Sequence, residues 1–270
     1  MSQYPGGPAE RPGRRPGFRR RLGLAALATS LAIGVHARTA PAHPASPGLG
    51  TPGMSPNRSG SLLVDYYAAY LKDHNIDHFR EKVAARYGEG TLARIVGSGD
   101  LPARRAAVLA LGLIGSFAVN ADVARALQDK DATVRSLADN ALWAIWFRAD
   151  TPEHNARLEL VRDLNNRRLF PQAIAEATRL VADAPEFAEA YNQRAIAHFV
   201  LRRIEDSAAD CQQAIRRNPY HLGALSGLAQ CQLQLDRPDD ALRTFRRILK
   251  LQPFNENVRK TVSALEARED

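Results

Sequence analysis

The chain has 270 residues, with 37 Lys or Arg, 29 Asp or Glu, two Cys, two Met and 7% aromatics. So few aromatic and β-branched residues argue against a β-sandwich or barrel, and the length supports one or two cores in an Ala-, Leu- and Arg-rich, all-α protein. The net charge of +8 is unevenly spread: residues 1–37 hold six Arg against Glu10, while the rest holds 31 basic and 28 acidic residues. That balance leaves no electrostatic footprint for a nucleic-acid partner.

Nine of the 16 Pro and ten of the 18 Gly lie in residues 1–60, which sets this stretch apart from the body. A basic block ending Arg19, Arg20, Arg21 precedes the uncharged run Leu22–Val35, and small residues follow with exit points at Ala37 or Ala42. That order predicts a signal peptide over 1–37 and a periplasmic or secreted protein. Fourteen residues rise only ~21 Å as a helix, short of the ~30 Å hydrocarbon core, so a membrane span is the weaker reading. No Cys follows the run to carry a lipid. Three alternatives stay open: a twin-arginine export route, retention of the segment as a membrane anchor, and a start at Met54 that makes the protein cytoplasmic. Residues 38–60, rich in Pro, Gly and Ser, read as a linker.

Residues 61–149 form the first helical domain. Ser61 to Tyr87 predicts two helices that fit no repeat. Beyond them, aligning Asp100 with Asp131 gives a step of 31, under which Ala107 meets Ala138, Ala110 meets Ala141, Leu111 meets Leu142 and Ile114 meets Ile145. Asp at each start can cap a helix, and the Arg one turn in can pair with the Asp of the next unit. The block D-K-D-A-T-V-R-S-L (129–137) resembles the core of a HEAT repeat. The short step is closest to the compact variety in bilin-lyase-like proteins.

Residues 150–270 carry a longer period. Pro185, Pro219 and Pro253 stand 34 apart. Ala173, Ser207 and Ala241 keep the same step, as do Leu180, Ala214 and Ile248, then Val161, Ala195 and Ala229, and finally Tyr191 with Leu225. Small residues where helices cross, and Pro where the second helix stops, resemble the tetratricopeptide repeat (TPR) family, with copies at 154–187, 188–221 and 222–255. The first copy is degenerate, with Arg157 where the family prefers a large aromatic, and Arg194 stands where it has Leu. On α-helical spacing Tyr191, Ala195, His198 and Leu201 form an apolar face, with Glu189, Asn192 and Gln193 opposite. Pro238 suits a first turn, with Asp236 placed to cap it. Residues 256–268 supply a capping helix, completing an α-solenoid of HEAT-like pairs followed by TPR pairs.

The chemical candidates are few. His74 and His78 share i, i+4 spacing but lack a third ligand, so a solvated helix edge is favoured and no metal site or cofactor is expected. Cys211 and Cys231 fall on helices that pack together: two small buried hydrophobes is the favoured reading, a disulfide the alternative. Trp143, Trp146 and Phe147 are placed to fill the junction between the halves. The basic pairs at 202–203, 216–217 and 246–247 suit helix ends and outer faces. No nucleophile, phosphate-loop or zinc-protease motif appears, so no catalytic residue is expected and the protein reads as no enzyme.

The TPR resemblance implies a concave surface lined by the first helix of each pair, there to hold a protein or peptide partner. The lining set is Arg162, Asn165 and Asn166, then Asn192, Ile196 and Phe199, then Ser226, Gln230, Leu233 and Gln234. The lysine–asparagine clamp of chaperone-binding relatives is not matched. Together with the leader of residues 1–37, these residues predict a non-enzymatic interaction scaffold of the bacterial cell envelope. The alternatives are a bilin-lyase-like HEAT-repeat enzyme or maturation factor, and a structural module of a larger assembly.

Overall fold

The computed structural model describes residues 62–267, and every regular element among them is helical. The expected signal peptide and linker lie outside these residues. None of the described helices is long and apolar enough to cross a membrane.

The first half opens with α1 (Leu62–Asp73) and α2 (Ile76–Ala84). Asn75 caps α2 by accepting from the His78 backbone N–H at 3.0 Å. His74 takes a left-handed φ of 56° in the turn before that cap. His74 and His78 therefore do not share a helix face, contrary to their spacing. Next come α3 (Glu89–Ser98) and α4 (Leu101–Ile114), then α5 (Asn120–Arg125) between two short 3-10 turns, and α6 (Ala132–Trp146).

Asp100 caps α4 through the Ala103 N–H at 3.1 Å, and Asp131 caps α6 through the Val134 N–H at 2.9 Å, one 31-residue step apart. Between α4 and α6 the crossing is close: a Cβ on Gly112 would lie 3.0 Å from the Ala141 Cβ. The expected Arg-to-Asp rung is doubled. Arg104 grips Asp129 (2.8 and 3.2 Å) and Arg105 grips Asp131 (3.0 and 2.7 Å), each through two N–H groups. Such forked charge-assisted pairs fix relative helix position as well as adding energy.

The second half is three antiparallel pairs and a cap: α7 (Pro152–Asn166) with α8 (Phe170–Asp183), α9 (Ala188–Val200) with α10 (Ile204–Arg217), α11 (Leu222–Gln234) with α12 (Pro238–Leu251), and α13 (Glu256–Glu266). The small-residue columns are all buried, from Val161, Ala195 and Ala229 to Ala173, Ser207 and Ala241. The first helices α7, α9 and α11 pack side by side. This is a TPR-like α-solenoid, as the period predicts.

The turns inside the pairs repeat as well. Arg168, Arg202 and Asp236, each 34 apart, have φ of 60°, 61° and 55°. After each, a backbone N–H reaches back five residues: Leu169 to Leu164, Arg203 to His198 and Arg237 to Gln232, at 2.8 to 2.9 Å. That is the Schellman way to end a helix, with one residue left-handed just past it. Asp236 is thus spent on terminating α11. It does not cap α12, whose start at Arg237 has no side-chain cap.

The two atypical arginines are paired. Arg157 binds Glu176 (2.9 Å) and Asp183 (2.7 Å) across α7 and α8, and Arg194 grips Asp210 (2.8 and 2.7 Å) across α9 and α10. A guanidinium fork here links two helices where the family places apolar bulk. One further expectation fails: Glu189, Asn192 and Gln193 are not outward but 1%, 3% and 5% exposed. From Ala188 to Gln193 α9 is buried on every side, because neighbouring helices pack around it and Trp146 of the first half lies against its start.

One apolar cluster runs from Leu63 to Leu265 through both halves. At the junction Trp146, 1% exposed, stacks on His221 with centroids 4.4 Å apart, and the Trp143 ring lies against Gly223. Farther along, the Arg135 guanidinium sits 4.2 Å over the Phe254 ring, and Gln128 donates to the Lys250 carbonyl at 3.1 Å. The first half therefore lies along the loops that join successive repeats, at 218–221 and 252–255. Trp143 and Trp146 fill the junction as expected, and Phe147 packs beside them.

Candidate partner-binding site

The face built by α7, α9 and α11 starts from small side chains. Val161, Ala195 and Ala229 let the three helices approach, and the next positions along each helix turn to the same side. Of the expected lining, Arg162, Asn166 and Gln234 are exposed, and Phe199, Ser226, Gln230 and Leu233 are half-buried. Asn165, Asn192 and Ile196 are buried at 3%, 3% and 5%. Beside Phe199, Val200 and Leu201 are 45% and 36% exposed, an apolar end to α9.

Two of the exposed members are held by neighbours. Arg162 pairs with Glu159 and lies 5.0 Å over the Phe147 ring. Gln234 accepts from Arg202 at 3.2 Å, which ties it to the turn of the preceding pair.

The buried members belong to a polar network that runs from this face to the junction. Asn165 Nδ2 donates to the Gln193 backbone carbonyl (2.9 Å) and to Gln193 Oε1 (3.0 Å). Gln193 Nε2 and Asn192 Nδ2 both donate to Glu189 Oε1, at 2.7 and 3.0 Å. Glu189 Oε2 lies 2.7 Å from His221 Nε2, and His221 Nδ1 accepts the Ala224 N–H at 3.1 Å. That second bond leaves Nε2 as the proton-bearing nitrogen facing the carboxylate. Trp146, stacked on His221, donates to Asn120 (2.7 Å), whose amide donates to Asn218 (2.9 Å). A small cavity at the junction is lined by Phe117, Trp146, Ala149, Glu186, Ala188, Glu189 and Asn218.

Sequence placed Glu189 and Gln193 on an outward polar face and gave His221 no role in a site. The signal available was the i, i+3, i+4 spacing of 189, 192 and 193, one polar stripe on a helix. Burial of that stripe depends on Trp143 and Trp146 from far up the chain.

The two thiols meet in the core between α10 and α11. Both are free and buried, and Cys231 Sγ lies 3.4 Å from Ser207 Oγ. A hydrogen bond to Cys231, with burial, pushes the Cys211 thiol well up, while the same bond lowers Cys231. Nearby, burial lowers the pKa of His198. Among the described residues no group of three His, Cys, Asp or Glu is arranged to hold a metal ion.

Tetratricopeptide-repeat family models match residues 158–221 and 201–265. The chain is 23% identical over 138 residues to a TPR repeat-containing protein of Rhizobium etli, covering 51% of this chain and 68% of that one. It is 30% identical over 97 residues to sperm-associated antigen 1 of mouse, 36% of this chain but only 11% of that protein. Among solved structures it is similar to the TPR2AB domain in the pHSP90 complex of yeast Sti1, at 17% identity and a TM-score of 0.39, over 76% of this chain and 95% of that one. Tetratricopeptide-repeat models thus match residues 158–265, the stretch that holds α8 to α12 and most of α7 and α13.

Proposed function

We propose that the chain is a non-enzymatic interaction scaffold of the bacterial cell envelope, holding a segment of a partner protein against α7, α9 and α11. TPR arrays mediate contacts between proteins through the surface their first helices share. The observation that carries the reading here is the composition of that shared face: Asn166 on α7 and Gln230 and Gln234 on α11, beside the partly exposed Phe199, Val200 and Leu201 at the end of α9. Amides both donate and accept, so they suit a bound backbone, and a half-buried aromatic suits an apolar anchor.

The described body has only five Lys, so the test is a photo-crosslinking residue placed singly at Phe199, Ser226 or Gln230, with Arg216 on α10 as control. In intact cells the three face positions are expected to capture one defined protein that Arg216 does not. Capture spread evenly over all four would favour a module of a larger assembly instead.

Envelope location rests on the basic and apolar leader of residues 1–37. Sequencing the first residues of the mature protein tests it: a start near Arg38 or His43 supports export, and a start at Met54 overturns it. We assign the first half a HEAT-like role as a brace along the repeat-joining loops. In an oxidising compartment Cys211 and Cys231 would pass two electrons and two protons to an exchanging disulfide. The resulting bond between α10 and α11 would add about 3 kcal/mol. Alkylation of both thiols in the unreduced protein would overturn this pairing.

A further inference from the structure

We infer that the outer face of α7 is a self-association site, on which a second copy of this chain lays its own α7 antiparallel about a two-fold axis at Leu160. This does not depend on the groove, whose lining residues on α7 turn to the opposite side of the helix.

The 34-residue step shows what is missing at this face. On α9, Ala190, Arg194 and Ala197 lie toward α8, the second helix of the preceding pair: both alanines are buried, and Arg194 donates to Thr178 of α8 at 3.2 Å. One step on, Ala224, Leu228 and Cys231 of α11 are buried where α10 packs, and one step further Val258, Val262 and Leu265 of α13 are buried where α12 packs. The same step back from α9 falls on Ala156, Leu160 and Asp163 of α7, and all three are exposed, Leu160 at 48%. α7 opens the array, and α6, the helix before it, is engaged at the junction through Trp143 and Trp146. α7 therefore turns to solvent the face that α9, α11 and α13 bury.

This face is matched to itself. Residues 153, 156, 160, 163 and 167 follow one another at steps of three and four, a single stripe along the helix. Leu160 is at its middle, with Glu153 seven residues before and Arg167 seven after. The covered copies have no such charges: one step on, Glu153 becomes the buried Phe187 and Arg167 becomes Leu201. Glu153 and Arg167 are both exposed, and Arg167 meets only the equally exposed Asp163 of its own helix, at 3.3 Å. When two copies lie antiparallel with Leu160 against Leu160, Glu153 of each faces Arg167 of the other. One contact then supplies an apolar centre and two ion pairs. A parallel pair would set like charges against each other at both ends. A stripe of five positions on one helix is a small interface, so the dimer is reversible rather than obligate.

Sedimentation equilibrium of the full chain over a range of concentrations tests this. The wild type is expected to pass from monomer to dimer and to stop there. Leu160→Arg, at an exposed site, is expected to stay monomeric throughout. Glu153→Arg and Arg167→Glu each turn both ion pairs into repulsions, and each is expected to weaken dimerisation about tenfold. An equimolar mixture of these two variants is expected to regain the wild-type association, because every charge then meets its opposite. A wild type that is monomeric at every concentration, or a dimer that tolerates Leu160→Arg, overturns the inference. A mixture that associates no better than its components overturns the antiparallel register. Mass that keeps growing with concentration overturns two-fold closure in favour of head-to-tail stacking.

Discussion

The two halves of the body hold helices together by different means. In the repeats, size does the work: small side chains recur every 34 residues wherever two helices cross, and the same left-handed turn closes each pair. In the first half, chemistry does more of it: capped helix starts, forked Arg–Asp pairs and one close glycine crossing tie α4 to α6. A size pattern repeats because every unit faces the same neighbour. Ion-pair ties are individual, so they specify one contact and say little about the next.

The junction is where this contrast can be broken most forcefully. Trp146 is fully enclosed, stacks on His221 and donates to Asn120. Trp146→Ala removes all three contributions, with an expected cost of about 3–5 kcal/mol. Because one apolar cluster spans both halves, denaturant unfolding followed by circular dichroism should show a single transition moved to a lower midpoint. Two separated transitions would show that the halves are independent units that merely touch.

A smaller effect sharpens the difference in chemistry. Burial tends to raise the pKa of Asp129, but its Arg104 fork outweighs this and holds it low; the Arg105 fork holds Asp131 low. Folded pKa values below the unfolded ones mean that stability from these pairs is present above the ordinary carboxylate range, near pH ~4, and is lost as pH falls through the folded values. Asp131→Asn keeps an acceptor for the cap and removes the charge. A loss of about 1–3 kcal/mol is expected at pH 7, shrinking toward zero in acid. Equal destabilisation at pH 7 and pH 3 would mean that the charge is not what Asp131 contributes to stability. In the repeats Glu176, lowered by Arg179 and then Arg157, adds to the same acid sensitivity.

These contrasts also explain what could be read in advance. The columns at 161, 195 and 229 were legible because a helix crossing admits only small residues, and that constraint leaves a mark at a fixed period. The 31-residue step and its Asp caps were legible for a similar reason. The Glu189–His221 contact was not: both residues stand where the period demands nothing particular, and their burial comes from Trp143 and Trp146 on another part of the chain. Asp236 was misread because Asp before Pro suits a helix start, while its backbone was needed to end the helix before. Of the ten lining positions, spacing identified the helices correctly. It could not tell that Asn165, Asn192 and Ile196 would be enclosed by neighbouring helices and the junction.

The turns give the finest comparison. Among the described residues four non-glycine residues have positive φ: three at the 34-residue step in the repeats, and His74 in the first half. A left-handed backbone costs an ordinary residue roughly 1 kcal/mol that glycine does not incur, though glycine loses more freedom on folding. Arg168 is the cleanest case, exposed and serving the turn through its backbone alone. Arg168→Gly is expected to stabilise the protein by up to about 1 kcal/mol, a rise in Tm of about 2–4 °C for a body of this size. Arg202→Gly should gain less, because it also removes the bond from Arg202 to Gln234. If both substitutions lower Tm, the strain at these turns is smaller than the entropy a glycine adds to the unfolded chain, and their recurrence reflects the Schellman hydrogen bonds alone.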